Sequence, residues 1–359
     1  MKNEKLFRNL LMKWHLEENK RTMPWKGEKD AYKVWLSEII LQQTRVKQGW
    51  SYYENFVTKY PTITQLAKAK DEAVFKLWEG LGYYSRCKNL LHTARFINEN
   101  YAGIFPSDYN TILSLKGIGS YTASAIASFC FDLPYAVVDG NVLRILSRYF
   151  GIDKPVDSTE GKKFFNSLAQ TCLDKNEPAT YNQSIMDFGA TICKPAPLCA
   201  ICILNKTCVA FNQNKVNQLP VKIKKLQKKE RWFTYFIFSF NNKIFVQQRT
   251  AKDIWQNLYE FYLEETTQNP EWDIKKINVF LLKKTGIKNI KSIKILSAKK
   301  QILTHQAIHG YFIIVDLNNQ STPLNSTGEW LNKSQIKLKA FPQFINQFNR
   351  QSTLQLQVL

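Results

Sequence analysis

Leu115-Lys116-Gly117-Ile118-Gly119-Ser120-Tyr121-Thr122-Ala123 sets two glycines one residue apart, immediately before an alanine-rich helical stretch. Glycine lets the backbone come close to a ligand, and the first N–H groups of the helix behind it have no partner inside that helix. The stretch therefore predicts two helices joined by a tight hairpin, with the amides at Gly117 and Gly119 placed to grip a phosphate. The same pattern also serves as a plain interhelical turn, so the rest of the chain has to decide. It carries a formal charge of +21, from 50 Lys+Arg against 29 Asp+Glu in 359 residues. A balance this far from zero points to a polyanionic partner, whether DNA, RNA or an anionic membrane.

The excess is spread along the chain. Residues 1–211 hold 27 basic and 20 acidic side chains, residues 212–231 hold 7 and 1, and residues 232–359 hold 16 and 8. The middle block, with Lys215, Lys222, Lys224, Lys225, Lys228 and Lys229, reads as a solvated basic linker able to touch phosphate. Before it, apolar residues recur at helical spacing through Leu6–Trp14, Val34–Leu41, Val74–Trp78, Leu90–Ile97, Ala123–Phe129 and Val142–Phe150. After it, Phe233–Phe240 and Lys243–Gln248 read as strands around an Asn241-Asn242 turn, Tyr311–Val315 as a further strand and Pro270–Lys284 as a helix. The expected architecture is an all-α domain followed by a smaller α+β domain. No stretch approaches the ~18 apolar residues of a membrane span, and the charged N-terminus lacks the apolar core of a secretory signal. A soluble, cytosolic chain is the expectation.

Four of the seven cysteines crowd into Cys193, Cys199, Cys202 and Cys208, a C-x5-C-x2-C-x5-C array with no histidine inside it. Cytosolic disulfides are rare, and four thiolates from one short loop suit either tetrahedral zinc or an iron–sulfur cube. Beside this cluster and the positive charge, the glycine hairpin reads as a clamp on the DNA backbone.

Two carboxylates stand out. Glu38 sits in Val34-Trp35-Leu36-Ser37-Glu38-Ile39-Ile40-Leu41, where most of its helical neighbours are apolar. Desolvation there raises a carboxyl pKa and makes Glu38 a candidate proton donor near neutrality, unless it lies on the exposed face of an amphipathic helix. Asp139, in Val137-Val138-Asp139-Gly140-Asn141-Val142, is placed to cap a helix, and a helix-start carboxylate is expected to keep a low pKa and stay ionised. One raised and one lowered carboxyl form the pair that cleavage of a glycosidic bond requires. Gln42-Gln43-Thr44-Arg45, directly after Glu38, supplies amide donors and acceptors for base edges and phosphates.

Taken together and in this order, Trp35-Leu36-Ser37-Glu38, Leu41-Gln42-Gln43-Thr44, Gly80-Leu81-Gly82-Tyr83-Tyr84, Gly117-Ile118-Gly119, Val138-Asp139-Gly140-Asn141-Val142, Asn182-Gln183 and the four cysteines resemble the adenine DNA glycosylase (MutY) family, within the helix–hairpin–helix DNA glycosylase superfamily. Arg21-Thr22-Met23-Pro24-Trp25 fits the same family, and the likeness covers residues 5–211. It implies a helical helix–hairpin–helix glycosylase domain over 1–211 with a [4Fe-4S] loop at 193–208, and base-excision removal of adenine mispaired with 8-oxoguanine or guanine in double-stranded DNA.

By the same resemblance, Glu38 would protonate adenine N7, Asp139 would stabilise the oxocarbenium-like sugar and Tyr121 would orient the pair. Arg21, Trp25, Asn141 and Gln183 would line the base pocket. Gln43 and Tyr83 would wedge into the stack beside the oxidised guanine, with Gln42 and Thr44 close by. Lyase relatives of the endonuclease III type carry a Schiff-base lysine where this chain has Tyr121, so a monofunctional enzyme is implied. Two departures from the family pattern are the first cysteine gap, five residues where six is usual, and Lys116 in place of a proline.

Residues 232–359 resemble the same family's Nudix-like domain, which reads 8-oxoguanine. No R-E-x-x-E-E-x-G helix occurs there, so recognition rather than hydrolysis is implied. Leu303-Thr304-His305 aligns with the family's lesion-contacting loop, which assigns Thr304 and His305 to the substrate. A monomer with no membrane partner is expected, cytoplasmic and associated with the nucleoid. Three other readings are weaker. Removal of thymine from T·G pairs does not suit the Nudix-like domain. A silent iron–sulfur DNA-binding protein does not need both Glu38 and Asp139. A zinc-bound structural adaptor would purify colourless, with no absorbance near ~400 nm.

Overall fold

Helices built around apolar stripes make up the first part of the chain, in a computed structural model that describes residues 2–223, 228–323 and 326–351. By contact the chain divides into two units, Met1–Lys68 with Lys88–Lys224, and Ala69–Cys87 with Lys225–Leu359.

The first unit contains α1 (Lys2–Glu17), α2 (Ala31–Leu41), α3 (Val46–Lys59) and α4 (Ile63–Lys68). After α5 (Asp71–Trp78), which counts with the second unit, it continues from residue 88 in α6 (Tyr84–Asn100), then α7 (Tyr109–Ser114), α8 (Ser120–Phe131), α9 (Gly140–Phe150), α10 (Thr159–Cys172), α11 (Pro178–Thr191) and α12 (Val209–Asn212). Every apolar-periodic stretch read from the sequence lies in a helix. α2 is capped by Asp30, whose carboxylate accepts from the amide of Tyr32, and is buried from Ala31 to Ile40. Asp139 caps α9, and Gly151 ends it in the left-handed region at φ +68°. α11 packs on α1, α8 and α9, and their shared core holds Phe7, Trp14, Ile145, Phe165 and Phe188.

The second unit is a sheet with α5 and three later helices. Its strands are β1 (Lys229–Phe240), β2 (Lys243–Gln248), β3 (Tyr259–Glu260), β4 (Tyr262–Thr266), β5 (Ile290–Ile302), β6 (Gln306–Leu317) and β7 (Glu329–Asn332). They run in the order β3-β2-β1-β6-β5, with β4 also on β1 and β7 on β2. β1 and β6 are parallel and the other pairs antiparallel. Asn241 and Asn242 close the first hairpin with φ of +44° and +57°, the left-handed geometry such two-residue turns need. α13 (Ile274–Phe280) covers one face with Phe236, Phe238 and Ile313, while α14 (Lys333–Leu338) and α15 (Gln343–Gln351) cover the other with Phe233, Tyr235 and Phe312.

The basic block is shorter than the sequence suggests. Lys229, Glu230 and Arg231 already belong to β1, and Arg231 is buried against Asp253 and Glu265 rather than solvated. Lys224 and Lys225 lie outside the described residues. Among the described residues, no helix is long and apolar enough to cross a membrane.

Candidate active site

A cavity of about 680 Å³ opens in the first unit, and the sequence-singled residues converge on it. Glu38, Gln42, Gln43 and Thr44 reach it from α2 and the turn after it, Tyr121 from α8, Asp139 and Asn141 from the start of α9, Gln183 from α11, and Arg21 and Trp25 from the segment between α1 and α2. Gln43 sits at φ +57° in the turn that ends α2, so the helix stops one turn after Glu38 and its next residues face the opening. Trp25 is braced edge-on against Tyr53 at 5.3 Å.

Glu38 is 6% exposed, so α2 does not place it on a solvent face. Burial pushes its carboxyl up to about 7; the neighbouring Tyr121 hydroxyl pulls the other way, and the negative charge of Asp139 adds to the rise. Asp139 differs from expectation. It is the N-cap, accepting from the amides of Asn141 and Val142 at 2.8 Å each and from Asn141 Nδ2 at 2.9 Å. Burial nonetheless outweighs these donors and the nearby Arg144, and its pKa is raised, not lowered. A helix-start argument counts donors but cannot see that the cap is buried. The asymmetry survives in weaker form, because Asp139 has three donors and a cation where Glu38 has one hydroxyl.

The helical part matches the model of the HhH-GPD superfamily of base excision DNA repair proteins over residues 36–169, and residues 234–351 match a NUDIX domain. The adenine DNA glycosylase of Buchnera aphidicola subsp. Schizaphis graminum is 34% identical over 330 residues, covering 90% of this chain and 92% of that protein. The chain belongs to the adenine DNA glycosylase family. The mouse adenine DNA glycosylase is 40% identical over 223 residues, 59% of this chain and 43% of the relative. Among solved structures, a thermostable thymine-DNA glycosylase superposes with a TM-score of 0.55 at 28% identity, covering 59% of this chain and 98% of that one. A trapped endonuclease III–DNA covalent intermediate gives a TM-score of 0.51 at 20% identity over the same share, which shows the fold alone. The chain is thus a DNA N-glycosylase, with a helix–hairpin–helix domain followed by a Nudix-like one.

Around the glycosylase cavity lie polar groups that the sequence did not single out. Asp187, on α11, is fully buried and accepts from Asn19 Nδ2 at 2.8 Å, Arg21 Nη1 at 2.7 Å and Lys26 Nζ at 3.0 Å. It fixes two cations of the cavity wall. Its signal in the sequence was the same as that of Glu38, a carboxylate inside an apolar helix, one turn beyond Gln183. Asn182, in contrast, points away from the cavity's chemistry. Its amide accepts from Val137 N and donates to Ser128 and to the Tyr135 carbonyl, bracing the extended segment that delivers Asp139.

α9 ties the carboxylate end of the cavity to the cysteine loop. Arg144 donates to Asn141 Oδ1 at 2.7 Å, to the Gly189 carbonyl at 2.8 Å and to the Cys193 carbonyl at 2.8 Å. Asn141 in turn holds Asp139. One turn on, Arg148 donates to Cys193 Sγ at 3.6 Å and to the carbonyls of Lys194 and Pro195. Cys193, Cys199, Cys202 and Cys208 are free thiols that line one small cavity with Arg148. Among the described residues, no group of three or more His, Cys, Asp or Glu side chains stands ready to hold a metal ion. The described side chains that line this small cavity with Arg148 include all four cysteines and no histidine or carboxylate.

Gly117 and Gly119 lie outside the cavity, on the exposed hairpin between α7 and α8. Gly117 has φ +83°, and a Cβ there would sit 2.7 Å from Asn89. Gly119 caps α8 with no side-chain bond to its first amides. Tyr83, Thr304 and His305 do not line the cavity, and all three belong to the second unit. Within it the Tyr83 hydroxyl meets Thr304 Oγ1 at 2.5 Å, and His305 is exposed, its carbonyl accepting from the amide of Lys229.

Proposed function

We propose that this glycosylase flips adenine, paired with 8-oxoguanine or guanine, out of duplex DNA into the cavity and hydrolyses its N-glycosidic bond. The observation that carries the reading is the pairing of Glu38, whose carboxyl titrates near neutrality, with the more richly hydrogen-bonded Asp139 in one cavity with room for a purine. Glu38 gives its proton to adenine N7, and the C1′–N9 electron pair leaves with the base. The Asp139 carboxylate faces the positive charge that develops on the sugar, and water then adds at C1′. Tyr121 orients Glu38. Arg21, Trp25, Asn141 and Gln183 hold the base, while Gln42, Gln43 and Thr44 attend the gap it leaves. Tyr83, Thr304 and His305 read the opposite 8-oxoguanine, and Gly117 and Gly119 grip the backbone.

The enzyme is monofunctional on this reading. Tyr121 cannot form an imine, and the two lysines lining the cavity are both engaged, Lys26 with Asp187 and Lys29 with Asp132. Cys193, Cys199, Cys202 and Cys208 suit a [4Fe-4S] cluster by their all-sulfur donor set. Bound there, the cluster would cross-link the loop that Arg144 and Arg148 anchor. The working form is a monomer on nucleoid DNA in the cytoplasm. Thymine, the base named for one structural neighbour, is the second reading, but that likeness covers only 59% of the chain.

Single-turnover assays on duplexes with adenine opposite 8-oxoguanine, guanine and thymine test the proposal. Excision is expected in the order 8-oxoguanine, then guanine, with none opposite thymine. Equal rates on all three sink it, and efficient borohydride trapping of the enzyme on DNA sinks monofunctionality.

A further inference from the structure

The loop that presents Tyr83 is built around a buried cation. Tyr83 is 43% exposed, yet its backbone is held at φ +47°, between Gly82 at +77° and helix α6, with Gly80 at +93°. A bulky residue keeps such a conformation only where its surroundings enforce it. The enforcing groups are Trp78 and Arg86. Trp78 Nε1 donates to the Gly82 carbonyl at 3.0 Å. Arg86, only 8% exposed, donates from Nη2 to the carbonyls of Leu81 at 3.4 Å and Gly82 at 3.2 Å. Its guanidinium is within cation–π reach of two rings, with its central carbon 5.1 Å from the Trp78 centroid and 5.5 Å from that of Tyr83. The Gly80 amide donates to the Tyr84 hydroxyl at 3.1 Å and so ties down the other end.

A surface ring that must enter a base stack loses rotamer freedom when it does so. Fixing it beforehand reduces that loss and raises affinity without any new contact. A planar guanidinium can lie against both rings while one of its amino groups holds both carbonyls; an ammonium can bond the carbonyls but has no flat face to set against the rings. We propose that Arg86 is a positioning residue for opposite-base selectivity, clamped under the 80–83 loop so that the Tyr83 ring is held in the posture from which it enters the duplex beside the oxidised guanine. The proposal rests on the reading of Tyr83 as a wedge.

The test uses the full-length protein with Arg86→Lys, Tyr83→Ala and the double variant. It measures affinity for duplexes carrying a non-cleavable adenine analogue opposite 8-oxoguanine or guanine, and the saturated single-turnover rate on cleavable ones. Arg86→Lys is expected to weaken binding to the 8-oxoguanine duplex about tenfold, more than to the guanine duplex, with less than a twofold change in saturated rate. The double variant should bind no more weakly than Tyr83→Ala. Unchanged preference in Arg86→Lys, when Tyr83→Ala loses it, overturns the proposal; so does additivity of the two. If Tyr83→Ala keeps the preference, the wedge reading fails and takes the proposal with it. Gly82→Ala guards against a misfolded Arg86→Lys. Its Cβ would meet nothing within 4 Å, so it strains the loop without a clash and is expected to lower the preference in the same way. Preference retained in Gly82→Ala counts against the proposal.

Discussion

Glu38 and Glu260 are two glutamates equally removed from water, 6% and 4% exposed, one in each unit. Burial raises both. Their partners differ. Glu260 receives Arg249, which also pairs with Asp253; Arg231 binds Asp253 and Glu265, and both guanidiniums lie over the Phe233 ring. Glu38 receives a neutral hydroxyl and the negative charge of Asp139. A buried carboxyl with a cation stays ionised and ties the chain together, whereas one without a cation keeps its proton and can give it away. Burial alone does not mark a catalytic acid; the missing counter-charge does.

The contrast breaks most sharply in a pair of isosteric substitutions. Glu38→Gln removes the proton and keeps the shape, and it is expected to lower single-turnover adenine excision by about 10³-fold or more while leaving affinity for the duplex within a few-fold. It should also stabilise the protein at pH 8. The folded pKa of Glu38 lies above the usual carboxyl value, so the folded state holds the proton more tightly, and stability is lost as pH rises from about 4.5 through about 7. A glutamine carries no such loss. Equal activity in the variant overturns the assignment of the acid.

Glu260→Gln is expected to do the reverse. It removes the charge of one of the two carboxylates that hold Arg249, leaving Asp253, and should cost about 2 kcal/mol of unfolding free energy in the second unit, with the saturated excision rate unchanged. Denaturant melts and excision assays on the same preparation read the two effects apart. If Glu260→Gln loses rate but not stability, the two glutamates do not play opposite parts.

The sequence carried one half of this contrast and not the other. Glu38 was legible as a candidate because its helix neighbours, Val34, Trp35 and Leu41, sit at fixed offsets, although those offsets alone left an exposed helix face open and only the packing around α2 buries it. Glu260 was invisible, since β3 is two residues long and its cation comes from another strand end. The same limit hid Asp187, whose three donors come from the segment before α2, and Arg144, whose partners lie on α9, on α11 and in the cysteine loop. It also misjudged Asp139, because capping is a local property and burial is not. The helices, the Asn241-Asn242 hairpin and the cysteine array were readable for the converse reason, that each is fixed within a few residues. That Ala69–Cys87 packs with the strand-rich unit rather than with the helices around it could not be read locally at all; Glu72 and Glu79 make their bonds to Tyr259, Lys339 and Phe341.

Arg144 makes a test of intermediate size. Arg144→Gln breaks the link between Asn141 and the Cys193 carbonyl and takes away the cation near Asp139, while leaving both carboxylates in the chain. Excision is expected to fall about tenfold through a lower saturated rate, because Asp139 keeps its two backbone donors but loses a fixed side-chain one. An equal loss in Asp187→Asn, which loosens Arg21 and Lys26, should instead appear as weaker binding of the flipped base. Rate effects in both, or binding effects in both, argue against the division of labour.

The smallest effect concerns the pH profile, and it sharpens the comparison most. If Glu38 must be protonated, excision under saturating single-turnover conditions declines as pH rises through about 7. The Tyr121 hydroxyl stabilises the ionised form of Glu38, so Tyr121→Phe removes a pull toward lower pKa and should move the alkaline limb to higher pH. At its optimum the variant is expected to lose only a few-fold in rate, from a less well-oriented acid. Above pH 8 it should keep a larger fraction of its own maximum than the wild type does. The Tyr259 hydroxyl offers the control in the second unit, since Tyr259→Phe removes a bond to Glu72, far from the acid in chemical terms, and the limb should not move. A limb that stays put in Tyr121→Phe, or moves to lower pH, means that the decline near 7 belongs to another group and that Glu38 lacks the role its missing cation suggests.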